Sequence, residues 1–187
     1  MSKVNYLRLY WGSYRPMAVG TFIPTPKNIA IKKAVVNIHS SDNYCFQYSV
    51  LAGMNVDSIN SNCHKDQAGV YKPFMHLLNM DSIQSPVPIS SIGKFESQNS
   101  DISANVLYHD GDQIVPIHTL TFTDRRKHHV TLLMITDNHE RFHYLSVQSM
   151  SRLVASQVKS KYKCYVCHYC LYPFRKEDQL TQHTIMC

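Results

Sequence analysis

No stretch of about 18 consecutive apolar residues occurs in this chain, so no membrane-spanning helix is expected. Met1 to Tyr14 is polar and aromatic and has no apolar h-region, which argues against a secretory leader. Internal repeats and low-complexity tracts are also missing. Cysteine is sparse outside one place: Cys164, Cys167, Cys170 and Cys187 crowd the C-terminus, and only Cys45 and Cys63 lie elsewhere. That distribution does not suit a disulfide scaffold. It suits a reducing, intracellular compartment, cytoplasm or nucleus, with thiols used for metal or reactivity. Acidic residues are in deficit, 13 against 19 lysines and arginines, which leaves a net charge of +6. Part of that excess sits at Lys159, Lys161 and Lys163, where it suits either nucleic acid or a solubilising linker.

What is present divides the chain in two. With 187 residues, 44% of them apolar, there is material for one domain with a real core and a small appendage. The appendage reads C-x2-C-x12-H-x3-C, from Cys167 and Cys170 to His183 and Cys187. At this spacing a β-hairpin knuckle and a helix can present four soft ligands tetrahedrally to one structural zinc ion. Tyr165, Phe174 and Leu180 fall where such a finger needs its few apolar residues, and a unit this small folds only with them and the metal together. Cys164 is a bystander to the ligand set, and His168, between two ligands, is expected to face solvent.

The rest of the pattern predicts an α+β fold, helices first and strands after. Residues 1–30 read as an extended lead-in punctuated by Pro16, Pro24 and Pro26, with Tyr10 and Trp11 as docking aromatics. Ala34 to Ile38 has strand composition, and Ser40 to Asn43 is turn chemistry ahead of a helix from Cys45 to Met54, with Gly53 near its end. Partly helical segments are expected around Tyr71 to Leu78 and from Ile89 to Gln98. Strands are expected at Ala104 to Tyr108, Ile114 to Phe122, Val130 to Ile135 and Phe142 to Val147. Asp110-Gly111 and Asp137-Asn138 supply the turns of two hairpins. A short helix from Arg152 to Val158 precedes a basic linker at 159–163. The domain proper is thus 31–158 and the finger 164–187.

Two residues of the larger domain carry chemistry. Cys45 opens a helix, where the dipole favours a thiolate. His129 opens a strand, and thiolate plus imidazole is the minimal pair for acyl transfer. A lone buried cysteine is more often a small hydrophobe, so the pair alone does not decide the matter.

Ala34-Val35-Val36-Asn37-Ile38, Asp42 through Ser49, Tyr71-Lys72-Pro73, Lys94 through Asn99, His129 through Ile135 and His143-Tyr144 through Leu153 resemble a domain found with protein-primed DNA polymerases of Polinton (Maverick)-type mobile elements in invertebrate genomes. The resemblance spans roughly residues 20–187 and includes the terminal finger. Its pattern is similar to papain-like cysteine proteases and to viral tegument-like deubiquitinases. The resemblance implies Cys45 as nucleophile, His129 as general base with His128 the lesser alternative, and ubiquitin or another protein as substrate. It implies a C-terminal antiparallel sheet and a mobile-element DNA polymerase as partner. His39 occupies the position, six before the nucleophile, where relatives keep a glutamine that donates to the oxyanion. Ser149 stands where the orienting Asp or Asn is expected, with Gln148 and Asp137 as substitutes. Both departures imply weakened catalysis.

The competing expectation is a non-enzymatic module in which finger and linker bind DNA, RNA or a protein. In a major groove, Lys176, Gln179 and Gln182 would face bases, although Glu177 and Asp178 would repel phosphates. Cys63, His64 and His76 do not complete a second metal set, and His109, His118, His139 and His143 read as ordinary strand or turn residues.

Overall fold

A computed structural model describes residues 22–55, 64–111, 113–119, 125–137, 141–157 and 164–187. Tyr10, Trp11, Cys63, His139 and the basic linker lie outside the described residues. The architecture is α+β, built on a five-stranded sheet. In chain order come α1 (Lys27–Ala30), β1 (Val35–Val36), α2 (Cys45–Gly53), α3 (Ile92–Gln98), β2 (Ile102–Asp110), β3 (Gln113–His118), β4 (His128–Thr136), β5 (Phe142–Val147) and α4 (Met150–Leu153). A small hairpin, β6 (Tyr165–Val166) and β7 (Pro173–Phe174), and α5 (Glu177–Met186) complete the chain. The lead-in is therefore not wholly extended, because Lys27–Ala30 closes a helical turn. The segment around Tyr71 to Leu78 takes 3-10 form over Lys72–Leu77.

The strand order is β1-β5-β4-β2-β3. Here the expectation of a C-terminal antiparallel sheet is corrected at one pair. β2 and β4 run parallel, with Ser103 beside His129 and Leu107 beside Leu133. The β2–β3 hairpin returns the chain to the start of β2, so the next strand on the free side of β2 must run the same way. Gly111, at φ +59°, supplies the turn that an L side chain resists.

Period-2 alternation splits the strands between two cores. Ala104, Val106, Val130, Leu132 and Tyr144 face a cluster with Phe46, Val50, Leu51 and Phe95 from α2 and α3. Leu107, Leu133, Ile135, Leu145 and Val147 face the other way, toward Ile29, Leu153, Cys164 and Val166. The sheet is therefore covered on both faces, and the second cover includes the C-terminal segment.

Helix α2 is buried from Cys45 through Ala52. It lies on the sheet with a fixed direction. At its far end an added Cβ on Gly53 would stand 2.9 Å from Val130 Cγ1 and 3.5 Å from Ser146 Oγ. Val130 is itself buried and β-branched, so it cannot swing away. Gly53→Val is expected to destabilise the domain by about 1–3 kcal/mol in urea titration, the range for overpacking a filled site. An unchanged midpoint would show that the helix can slide.

Candidate functional site

The four ligand candidates of the C-terminal motif come together. Sγ of Cys167, Cys170 and Cys187 and a ring nitrogen of His183 all lie within 4.8 Å of one another. Cys167 Sγ is 3.9 Å from Cys187 Sγ, and Cys170 Sγ is 3.1 Å from His183 Nε2. A tetrahedral ion with ~2.3 Å arms to sulfur spans edges of roughly 3.8 Å, so the four could hold one metal ion. The local reasons are visible. Leu171, at φ +60°, turns the knuckle, and its N–H donates to the Cys167 carbonyl. Cys167 N–H donates to the Tyr172 carbonyl across the β6–β7 hairpin. Helix α5 brings His183 and Cys187 round to the two knuckle sulfurs, and Phe174 packs against the His183 ring at 4.8 Å. Burial, then hydrogen bonding to the neighbouring thiols, pushes Cys187 up to about 11. Cys164 lies outside the cluster, buried in the second core. His168 is exposed, and so are Gln179 and Gln182 on α5 and Lys176 just before it.

At the other end of the sheet from this knuckle sits Cys45. Only 3% exposed, it opens α2 behind an Asp42 side chain that accepts from Tyr44 N–H and from the Tyr48 hydroxyl. The backbone N–H of Tyr144, beyond the last β1–β5 pair, Val36 with Ser146, bears on its sulfur. Burial raises the thiol to about 11, against the pull of backbone N–H groups from Tyr144, Phe46 and Cys45 itself. The resting sulfur is therefore protonated.

The expected partner, His129, is not there. Tyr144 pairs with Met134. From Met134 back to His129 is five residues of strand, roughly 17 Å. His129 stands at the Gly53 end of α2, next to Val130, whereas Cys45 is at the opposite end. Both of its ring nitrogens are also engaged. Nε2 donates to the His168 carbonyl at 2.6 Å, and Nδ1 accepts from Ser103 Oγ at 2.8 Å. Burial holds this ring below its ordinary pKa. His128, one residue earlier on β4, is at the same wrong end. The Cys45–His129 dyad is thus corrected: each residue is where its element was expected, but the hairpin puts them at opposite ends of the sheet.

At the Cys45 end of β5, paired with Ile135, stands His143, treated as ordinary in the sequence. It immediately precedes Tyr144, whose backbone bears on the sulfur. It is buried, and its Nε2 donates to Asn37 Oδ1 at 2.9 Å. The Asn37 amide orientation is fixed, because its Nδ2 donates to the Ile23 carbonyl at 2.8 Å and to Thr25 Oγ1 at 2.9 Å. With Nε2 carrying the proton, Nδ1 of His143 is left as the basic nitrogen. Burial, then the nearby His39, lowers His143 to about 4. The Phe22 ring stacks on His39 at 3.8 Å and meets His143 edge-on at 5.9 Å. His39 is exposed, and its backbone is pinned between Asp66 and Ala68.

Ser149 is corrected as well. It caps α4, accepting from Arg152 N–H at 3.4 Å, at the end of β5 remote from His143. Of its substitutes, Gln148 donates to Ser146 Oγ, and Asp137 pairs with Arg141 in the β4–β5 turn. Asn37 and His143 are what sequence reasoning missed. Asn37 sits inside a short strand motif that reads as scaffold, and His143 was passed over in favour of a histidine opening a longer apolar strand.

Among the described residues no helix is long and apolar enough to cross a membrane. Compared with protein-family models, with curated proteins and with solved structures, the chain matches none.

Proposed function

We infer that this chain is a cysteine-type acyl hydrolase, a peptidase or isopeptidase, whose sheet is backed by a structural zinc finger. The observation that carries the reading is the Asn37–His143 hydrogen bond, with its amide locked, one residue before the Tyr144 backbone that bears on a cysteine at a helix start. Cys45 is the nucleophile, His143 the general base and Asn37 the residue that positions the ring. His39 and the Cys45 backbone N–H are the oxyanion donors.

Both resting groups are neutral, so the chemistry is general-base rather than ion-pair. His143 Nδ1 takes the thiol proton as sulfur attacks the carbonyl carbon, then returns it to the leaving amine. Water hydrolyses the thioester by the same route in reverse. Three sulfurs and an imidazole suit zinc, and with four protein ligands no position is left for a catalytic water. The ion's contribution there is structural. Ubiquitin, as an isopeptide substrate, and origin in a Polinton-type element follow from the family resemblance.

The test is a ubiquitin probe carrying a thiol-reactive C-terminus, applied to the full chain. A covalent adduct on Cys45, lost in Cys45→Ala, is expected. Absence of any adduct with ubiquitin or with short peptide probes, in protein shown to be folded, would overturn the enzyme reading. Salt-sensitive retention of DNA or RNA would then support the binding-module alternative.

A further inference from the structure

The two residues between the first two metal ligands, His168 and Tyr169, are gripped by the sheet. Asn105, on β2 and 0% exposed, donates from Nδ2 to the His168 carbonyl at 2.6 Å and lies 3.2 Å from the Tyr169 carbonyl. His129, on β4, donates from Nε2 to the same His168 oxygen at 2.6 Å. The two donor nitrogens, 3.1 Å apart, converge on one acceptor. The Tyr169 ring stacks on the His129 ring at 4.7 Å, with the Arg125 guanidinium 5.1 Å from its centroid. Cys164 and Val166, just before the knuckle, are buried members of the second core, beside Leu107, Leu133 and Leu153. Cys167 is 0% exposed.

We propose that a metal ion at Cys167, Cys170, His183 and Cys187 is a latch that keeps this face of the sheet closed, so that metal binding and the stability of the sheet are one linked equilibrium. This rests on the cluster and the docking contacts and not on any chemistry at Cys45. The finger cannot keep its shape by itself. Helix α5 exposes most of its length, and among the described residues its end is joined to the knuckle by the ligand set and the Phe174–His183 ring contact. A knuckle that loses its closure loses the turn that presents the His168 and Tyr169 carbonyls. Asn105 and His129 then lose the His168 carbonyl they share, next to uncovered Leu107 and Leu133. By reciprocity, weakening the docking must weaken the metal.

The experiment uses the full chain loaded with zinc, or with cobalt(II) as an optical probe. Excess chelator is expected to lower the melting temperature of a single transition. It is also expected to speed amide exchange at least ~10-fold in 103–107 and 129–133, far in sequence from the ligands. Asn105→Ala is expected to weaken cobalt affinity about 10-fold, the lower range for partners that orient a ligand shell. Gln179→Ala, on the exposed side of α5, is expected to leave affinity unchanged. If Asn105→Ala fails to fold, Tyr169→Ala removes the stacked ring from a half-exposed position and is expected to act in the same direction. Exchange accelerated by chelator only within 164–187 would overturn the latch. So would a cobalt affinity indifferent to both docking variants, or the lack of a tetrahedral cobalt spectrum in the full chain.

Discussion

His143→Ala is expected to slow Cys45 acylation by about 10²–10⁴-fold, the usual worth of a positioned general base. His129→Ala, measured per mole of folded protein, is expected to leave the rate within a few-fold. The contrast follows from geometry. The Tyr144 backbone bears on the Cys45 thiol, and Tyr144 pairs with Met134, whereas His129 is held by the finger. Asn37→Ala should fall between them. It removes the oxygen that fixes the His143 tautomer but leaves the ring in place between β5 and Phe22. Without that oxygen the ring can flip or move its proton to Nδ1, which presents no base to the thiol. Asn37→Asp is the sharper variant, because a carboxylate would favour the imidazolium and lift the base out of its depressed range. Initial rates of adduct formation with a thiol-reactive probe read all four. A His129→Ala loss as large as that of His143→Ala would return the general-base role to β4.

The difference between the two histidines shows what this sequence could and could not reveal. Helix α2 was legible because its signals are local: turn residues at 40–43, an apolar face, and Gly53 near its close. The ligand set was legible for the same reason, since C-x2-C and H-x3-C are each one turn of chain. Choosing His129 over His143 needed something non-local. Both belong to one antiparallel hairpin, β4 and β5, and the hairpin inverts direction, so one histidine sits at each end of the sheet. Which end meets Cys45 depends on the direction in which α2 crosses the strands. That direction is set by packing such as Gly53 against Val130, which leaves no periodic trace in sequence. Ser149 teaches a related lesson. Its position before Met150–Leu153 is ordinary N-cap chemistry, a local signal that the family resemblance overrode. The parallel β2–β4 pair was hidden because each strand alone reads the same whichever way its neighbour runs.

Acid is expected to destabilise the domain between pH 6.5 and about 4 through His143. Its folded value is lowered to about 4 by burial first and by His39 second, against 6.5 for the free group. In this interval the unfolded chain binds a proton that the folded chain refuses, so stability rises with pH. The contribution is fully present above 6.5 and is lost progressively as pH falls toward 4. At ~1.4 kcal/mol per pH unit, the full difference amounts to about 3 kcal/mol, of which about 2 kcal/mol is gone by pH 5. His143→Gln isolates it, since its amide still donates to Asn37 but cannot titrate. Urea titrations of both proteins at pH 7.5 and pH 5, at equal metal loading, cancel every other group. The variant should lose about 2 kcal/mol less than the parent over that step. Equal losses would mean that the ring of His143 is open to water and charges freely. It would then also set the acid limb of the pH–rate profile near 6.5 instead of near 4, and the two measurements must agree.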